Sequence, residues 1–298
     1  MLIIKYRNFF FILPALLVLA SLFFIFYLGI PIGIDFKGGS LSEIRYTEER
    51  PPINEIEVSV KKLDVLGEVR IQPIGEKNII IRSRALEASE KEELLGALAS
   101  GGEKIEEIRA TTIGPTMGRE LRTKAAIAII LVVIAIILYI TVTFRHVSKP
   151  VASWKYGVIS IITLFHDAII PAGVFAVLGK FQGVEADSLF IVALLTILGI
   201  SINDTIVVFD RIRENLKLKI SPDYAETVGT SLNETFVRSF NTSFTVILVL
   251  LSLYFFGPST IKTFSLMLSV GMIAGTYSSL FLASPLLVVA ERLGKRRR

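Results

Sequence analysis

The segment "SLFIVALLTILGISINDTIVVF" (residues 188–209) decides the fold class of this chain. It contains a single ionisable side chain, Asp204. An α-helix needs about 20 mostly apolar residues to cross the hydrocarbon core of a bilayer. The sequence therefore predicts a transmembrane helix here, with a carboxylate placed inside the membrane.

Other apolar blocks of similar length flank this segment. Together they predict an α-helical membrane protein with six transmembrane helices, at residues 9–30, 124–144, 156–178, 188–209, 237–256 and 261–290. The chain is 52% hydrophobic with a mean hydropathy of +0.63, and the excess lies in these blocks. The first block is too long for the apolar core of a signal peptide, which spans about 7–15 residues. We therefore expect a retained membrane anchor.

Basic residues alternate between the two ends of successive blocks. They cluster at Lys5 and Arg7, at Arg145, Lys149 and Lys155, at Arg211, Arg213, Lys217 and Lys219, and in the tail at Arg292, Lys295, Arg296, Arg297 and Arg298. Cytoplasmic ends of membrane helices are enriched in Lys and Arg. The pattern predicts that both termini (residues 1–8 and 291–298) are cytoplasmic and that residues 31–123 form an extracytoplasmic domain.

The polar segment 31–123 has a readable order of elements. Strands are predicted at 41–47, 69–74, 78–84 and 104–113, and helices at 53–66 and 87–100. The order β-α-β-β-α-β is typical of a small ferredoxin-like α+β domain. Because it contains no catalytic cluster, a binding or mechanical role is favoured. Gly33, Gly38 and Gly39 predict a flexible hinge between the first span and this domain.

Asp204 is the residue that a simple membrane anchor does not require. A charged side chain at the bilayer centre costs about 2.5–3.5 kcal/mol on insertion scales, so such residues usually face a bundle interior and serve a function. We include Asp204 and its neighbour Asn203 in a predicted proton pathway. The alternative is that Asp204 only hydrogen-bonds a neighbouring helix.

The fifth block begins with a polar stripe that reaches the same depth as Asp204. Its members recur at spacings of three and four residues, and they are Glu234, Arg238, Asn241, Thr242 and Thr245. An intramembrane Asp beside an Arg is a protonation switch, because withdrawing the Arg favours the neutral acid. Alternatively, Arg238 is an interfacial anchor that extends to the lipid headgroups.

His166 and Asp167 lie near the middle of the third block. Histidine titrates near neutrality, which suits proton transfer, and both residues are assigned to the predicted pathway. Adjacent helical side chains diverge by about 100°, so we expect one of them to face the bundle interior. With two histidines and no cysteine in the chain, neither a metal site nor a cofactor is expected. The charges border the apolar blocks, which argues against nucleic-acid binding.

Several motifs resemble the SecF family of protein-export membrane proteins over essentially the whole chain. They are "GIDFKGGS" after the first span, "IGPTMGREL" before the second, "HD" in the third, "GISINDTIVVFDRIREN" at the fourth and "NETFVRSFNTSFT" at the fifth. Ile200 stands where the family often has an aromatic residue, and the loop "FRHVSKPVASWK" is less typical; neither touches the polar residues discussed above.

The resemblance implies a subunit of a SecDF complex of the resistance-nodulation-division type in the bacterial inner membrane. Its expected partners are a SecD-like subunit, the SecYEG channel, preprotein substrates and membrane lipid. The proton-motive force is expected to drive preprotein export, and the chain is not expected to be an enzyme. The resemblance places the family's transport Asp at Asp204, its Arg at Arg238 and a nearby hydroxyl at Thr242. The two ends of the sequence favour SecD as a separate chain.

Three other functions compete with this expectation. A proton-coupled exporter of small molecules has similar helices, but such pumps carry two large exterior domains and about twelve spans in one chain. A passive scaffold for the translocon would tolerate neutral residues at Asp204 and Arg238. An intramembrane protease is disfavoured because no Ser–His pair or twin-Asp motif lies at matching depth.

Overall fold

The computed structural model describes residues 2–63, 67, 69–99, 102–145 and 151–296. The predictions for residues 64–66 and 100, Lys149, Arg297 and Arg298 lie outside the described residues. The chain divides into two compact units. The helical unit comprises Met1–Pro31, Ala128–Val184 and Leu189–Arg298, and the sheet unit comprises Ile32–Ile127 and Glu185–Ser188.

The helices and strands follow the order that the sequence predicts. In chain order the helices are α1 (Leu2–Lys5), α2 (Arg7–Leu28), α3 (Ile34–Lys37), α4 (Ile53–Lys61), α5 (Ala88–Leu98), α6 (Pro115–Thr143), α7 (Ser153–Gln182), α8 (Ser188–Leu218), α9 (Tyr224–Phe256), α10 (Ser259–Tyr277) and α11 (Ser284–Arg296). The strands are β1 (Gly39–Tyr46), β2 (Arg70–Ile74), β3 (Asn78–Ser83) and β4 (Ile105–Ile113).

Six helical segments of the described chain are long and apolar enough to cross a membrane, which confirms the predicted number. They are α2, α6, α7, α8, α9 and a continuous segment in which a π-helical turn, Ser278–Ala283, joins α10 to α11. Several extend beyond the predicted spans. Helix α6 begins at Pro115 rather than at residue 124, and α9 begins at Tyr224 rather than at residue 237. Hydropathy marks only the apolar part of a helix, whereas backbone hydrogen bonding continues into its polar ends.

The core of the helical unit lies among α7, α8 and the α10–α11 segment, which bury far more of their apolar length than α2 and α6 do. At one end of this core the rings of Phe144 and Tyr156 stack at 5.2 Å, and Phe209 meets both edge-on. Helix α2 buries only Pro14 and Ser21. It lies at the periphery of the unit, where it packs against α7.

The sheet unit contains one antiparallel four-stranded sheet in the order β2-β3-β1-β4. With α4 and α5 this is the predicted ferredoxin-like β-α-β-β-α-β arrangement. Its core is formed by apolar residues of two strands and both helices, namely Ile44, Tyr46, Ile56, Val60, Ile79, Ile81, Leu94 and Leu98. Alternate residues of β3, Ile79 and Ile81, point into this core, as the two-residue period of a strand requires.

Two of the sequence motifs meet inside the sheet unit. Gly38, from "GIDFKGGS", has a φ of +81°, and a Cβ at this position would lie 2.8 Å from the Cα of Pro115 in "IGPTMGREL". A Cβ at Gly118 would lie 2.7 Å from the backbone nitrogen of Gly38. Only glycine permits both this backbone conformation and this close approach, so the start of α6 packs directly on the segment after α3.

The sheet unit also includes four residues that the sequence assigns elsewhere. Glu185–Ser188, between α7 and α8, cluster with Ile32–Ile127. The predicted domain, residues 31–123, omits this loop, because nothing in a short polar connection between two spans indicates which part of the chain it contacts.

Candidate proton-pathway site

Asp167 of α7 is fully buried, and both of its carboxylate oxygens have partners. The Oγ of Ser278 lies 2.7 Å from Oδ2, and the Ser201 hydroxyl also donates to Oδ2. The Nδ1 of His166 lies 2.7 Å from Oδ1. Among the described residues no Lys or Arg forms an ion pair with this carboxylate. Asp167 therefore joins α7 to α8 and to the π-helical turn through groups that can exchange protons.

His166 is also buried, with 3% of its surface exposed. Its Nε2 is buried and has no hydrogen-bond partner among the described residues. The expectation that only one of His166 and Asp167 faces the interior does not hold in the structure, because the imidazole turns toward the neighbouring carboxylate. With Nδ1 bound to Asp167, the Nε2 atom can accept or donate one further hydrogen bond, depending on the tautomer.

Asp204 of α8 is the other carboxylate of the predicted pathway, and it is also buried, with 8% of its surface exposed. Ser243 of α9 places its Oγ 3.3 Å from Oδ2. The Oγ1 of Thr276, on α10, lies 2.6 Å from the Oγ of Ser243. Asp204 is thus connected through two hydroxyl groups to both α9 and α10, and it forms no ion pair with any described residue.

Arg238 is exposed on α9 and makes no ion pair with a described residue. Its charge acts on Asp204 electrostatically, but the two side chains do not form a salt bridge. The reason is the helical period: Ser239 and Ser243 occupy the buried face of α9, and Arg238 lies on the exposed face. The functional pairing of Asp204 with Arg238 stays a prediction.

Two other predicted pathway residues are exposed. Asn203 points away from its neighbour Asp204, as the angle between successive helical residues requires. Thr242 lies on the exposed face of α9, and its hydroxyl donates to the backbone oxygen of Arg238 at 2.9 Å. The structure therefore brings His166 and Asp167 together, but it does not bring Asn203 or Thr242 into contact with Asp204.

The predicted hinge glycines are closely packed. The Gly33 nitrogen donates to the Ala186 oxygen at 2.8 Å. Gly39 has a φ of +144°, and a Cβ there would lie 2.7 Å from the Ser83 oxygen. With Gly38 packed on α6 as described above, close approach and backbone conformation both account for glycine in this segment. A hinge role for the three stays a prediction.

Buried hydroxyl groups form the part of the site that the sequence reasoning missed. On α9 they recur at every fourth residue, at Thr227, Ser231, Thr235, Ser239 and Ser243. This spacing places them on one face of a helix. It is a signal in the sequence, but Ser and Thr fit apolar helices without a charge penalty and do not stand out in a hydropathy profile.

The π-helical turn contributes two more hydroxyl groups. Ser278 approaches Asp167, and the Oγ of Ser279 lies 2.9 Å from the Oγ1 of Thr205 on α8. A π-turn shifts the register of the side chains that follow it, and such turns are frequent at functional sites. Here the turn presents adjacent serines to α7 and α8.

The arrangement is a set of buried polar residues inside an apolar helix bundle. It contains two carboxyl groups, one imidazole and a series of hydroxyls, all groups that carry or relay protons. Among the described residues, no group of three or more His, Asp or Glu side chains is placed to hold a metal ion. The chemistry that these residues can perform is proton binding and transfer.

Comparison with known proteins identifies the family. A family model described as protein export membrane protein SecD/SecF, C-terminal, matches residues 94–292. The protein translocase subunit SecF of Thermobaculum terrenum is 40% identical, over 97% of this chain and 93% of that protein. The chain belongs to the SecF family. Another SecF, from Sebaldella termitidis, is 37% identical over 98% of this chain and 92% of its own length.

Two solved structures are similar to this SecF-family chain. The crystal structure of SecDF from Thermus thermophilus, described as a translocon-associated membrane protein, matches with a TM-score of 0.81 and 35% identity. A super-membrane-facing form of SecDF matches with a TM-score of 0.67 and 34% identity. Each match covers 99% of this chain but only 38% and 39% of the solved chains, respectively. The SecF-family chain thus resembles one part of a longer SecDF polypeptide.

Proposed function

We propose that this chain is a subunit of a protein-export accessory complex driven by the proton-motive force. Its relatives are named protein translocase subunits, and its six spans make it a multi-pass membrane protein. The observation that carries the proposal is the burial of Asp167 and Asp204 inside the helix bundle, with hydroxyl partners and without a Lys or Arg ion pair among the described residues. A scaffold would not need two such carboxylates.

In the proposed cycle, protons cross the helix bundle by binding to Asp204 and dissociating from it. When Asp204 is charged it attracts Arg238, and when it is protonated the attraction is lost and the helices repack. One proton crossing the membrane releases about 2.3 kcal/mol per 100 mV of potential. Shifts of a few kcal/mol are enough to redistribute a two-state conformational equilibrium, so a proton or two per step suffices to move the sheet unit between two positions.

A SecD-like subunit is the partner that the surface of α9 favours. The exposed residues on this helix include Arg238, Asn241, Thr242 and Thr245. Polar side chains at membrane depth are costly in lipid and usually face protein or water. A second membrane subunit that covers this face would shield the stripe and would set the distance between Arg238 and Asp204.

The cellular setting follows from the same proposal. The distribution of Lys and Arg around the spans supports cytoplasmic positions for both termini, and an inner-membrane location follows from a role in export through the Sec channel. The sheet unit would then lie on the extracytoplasmic side, where preproteins emerge from the SecYEG channel. There it would hold or release the preprotein while the channel conducts it.

Export from proteoliposomes tests this function. Vesicles would contain the chain, a SecD-like subunit and SecYEG, with preprotein movement measured with and without a proton gradient. Asp204→Asn keeps the size of the side chain and one acceptor oxygen but cannot bind or release a proton, so we expect it to abolish the gradient-dependent part of export. Asp210→Asn is the control, because Asp210 is half exposed and pairs with Arg213 at the end of the same helix.

Normal gradient-dependent export by Asp204→Asn would contradict proton coupling through this residue. Absence of a SecD-like subunit and of the channel from material captured with the detergent-extracted chain would contradict the complex itself. Gradient-driven efflux of a small molecule, without an effect on preproteins, would favour the exporter alternative.

A further inference from the structure

The loop that connects α7 to α8 is held by the sheet unit at three points. We call Glu185–Ser188 the connecting loop; its last residue, Ser188, is also the first residue of α8. Ile32 and Ala186 form a parallel β-bridge, and the Gly33 nitrogen donates to the Ala186 oxygen at 2.8 Å. Ala186 is buried, with 5% of its surface exposed. This first contact uses backbone groups and is independent of side-chain charge.

The second contact is an ion pair that is largely shielded from solvent. The Oε2 of Glu185 lies 3.3 Å from the Nε of Arg82, and the Oε1 lies 3.8 Å from a terminal nitrogen of Arg70. The side chains of Glu185 and Arg82 are only 13% and 14% exposed. Gln72 accepts a hydrogen bond from Arg82 at 2.8 Å and so orients the guanidinium. Partly buried, well-oriented pairs are worth more than exposed surface pairs.

The third contact fixes the first residue of α8. The Oδ2 of Asp35 accepts a hydrogen bond from the Ser188 nitrogen at 2.8 Å. The first N–H groups of a helix have no partner within the helix, and a carboxylate from the segment after the first span satisfies this one. Because α8 is uninterrupted from Ser188 to Leu218, Asp204 lies on the same helix, about 24 Å along its axis from Ser188.

We propose that the connecting loop is a mechanical link that stays bound to the sheet unit throughout the transport cycle. Glu185 and Asp35 act as positioning residues: they make the sheet unit follow the end of α8 when the helix that carries Asp204 moves. The inference rests on the proposed function, because it supplies the path by which proton binding reaches the domain.

Loss of the contacts tests the link. In proteoliposomes that contain the full complex, we expect Glu185→Gln combined with Asp35→Asn to lower gradient-dependent export about fivefold or more, the lower end of typical coupling between linked sites. Glu107→Gln is the matched control, because it removes an ion pair with Lys91, 2.8 Å long, elsewhere in the same unit. If the proton gradient stimulates export equally by the wild type and by the double variant, the link is overturned. The proposed function would still stand in that case.

A disulfide tests whether the contact persists. The chain has no cysteine, so Ile32→Cys with Ala186→Cys places the only two thiols at the β-bridge. We expect efficient oxidation of this pair and unchanged gradient-dependent export in the locked protein. Export lost on oxidation and restored by a reductant would show that the loop must detach, and would overturn the proposal.

A conformational readout separates this proposal from the proposed function. The labelling rate of a single cysteine at Thr47, in the sheet unit, is compared with and without the gradient. If export itself proves independent of the gradient, the proposed function fails. The link is still supported if labelling responds to the gradient in the otherwise unmodified chain but not in the Glu185→Gln, Asp35→Asn background. Equal labelling behaviour in the two backgrounds would overturn it.

Discussion

Replacing Gly173 by alanine should weaken the packing of the first span, α2, against α7. A Cβ at Gly173 of α7 would lie 2.4 Å from the Cβ and 2.5 Å from the Cα of Ser21 on α2. Carbon atoms in ordinary contact are about 3.5–4.0 Å apart, so the shortfall exceeds about 1 Å. The Cα of Ser21 cannot rotate away, and relief requires α2 itself to move. Because Ser21 is one of only two buried residues of α2, we expect a loss of about 1–3 kcal/mol, typical of overpacking.

Two other glycines provide graded controls. A Cβ at Gly275 would lie 3.1 Å from the Cβ of Ser201, so the neighbouring residue must give by only a few tenths of an ångström. Gly275→Ala should therefore cost less than Gly173→Ala. Gly199 has nothing within 4 Å of its Cβ position. Gly199→Ala should be neutral or stabilising by up to about 1 kcal/mol, because alanine favours the helix.

Unfolding of the purified proteins in detergent, followed by the helical circular dichroism signal during titration with dodecyl sulfate, gives the three free energies. The expected order of stability, from highest to lowest, is Gly199→Ala, then Gly275→Ala, then Gly173→Ala. If Gly173→Ala were as stable as Gly199→Ala, the close approach of α2 to α7 at Ser21 would be wrong.

Two further predictions concern buried hydroxyl groups. The Tyr46 hydroxyl is buried without a partner among the described residues, so Tyr46→Phe should stabilise the sheet unit by about 1 kcal/mol in hydrogen-exchange measurements. Burial raises the pKa of Tyr46 from 10.0 to about 12, so the wild type, but not Tyr46→Phe, should lose stability as the pH rises from 10 through 12. Ser278→Ala removes a hydroxyl bound to the Asp167 carboxylate and should lower stability in the detergent titration by about 1–3 kcal/mol. The control Ser269→Ala, whose hydroxyl binds only a backbone oxygen, should cost less, and equal losses would contradict the contact with Asp167.

The membrane helices and the order of the sheet unit could be predicted because each depends on local patterns. Apolar length fixes the spans, and alternation with turn residues fixes the strands. The ends of the helices could not be predicted in this way. Helix α6 continues back to Pro115, and its first turn packs on Gly38, a contact between segments far apart in the sequence.

The carboxylates of the site stood out in the sequence, whereas their partners did not. Asp204 and Asp167 interrupt apolar blocks, and their depth alone suggests a function. Ser243 and Ser278 lie in apolar helices where hydroxyl groups are common and often bind their own backbone. Which of them reach a carboxylate depends on helix packing and on the π-turn, neither of which hydropathy reports.

The contacts of the connecting loop could not be predicted from the sequence either. Glu185 is an unremarkable acidic residue in a short loop between two spans. Its partner Arg82 lies in β3, and the segment that bridges Ala186 follows the first span. Single-sequence patterns describe neighbours along the chain, so contacts over this separation require the folded structure.

Infrared difference spectroscopy of the reconstituted complex would observe the proton on Asp204 itself. A step in pH or membrane potential should change the carbonyl-stretch band of a protonated carboxylic acid in the wild type. The same step should leave that part of the spectrum unchanged in Asp204→Asn, which cannot be protonated at this position, and should leave the wild-type signal intact in Asp210→Asn. Identical difference bands in the wild type and Asp204→Asn would mean that this carboxylate does not take up and release the proton that drives export.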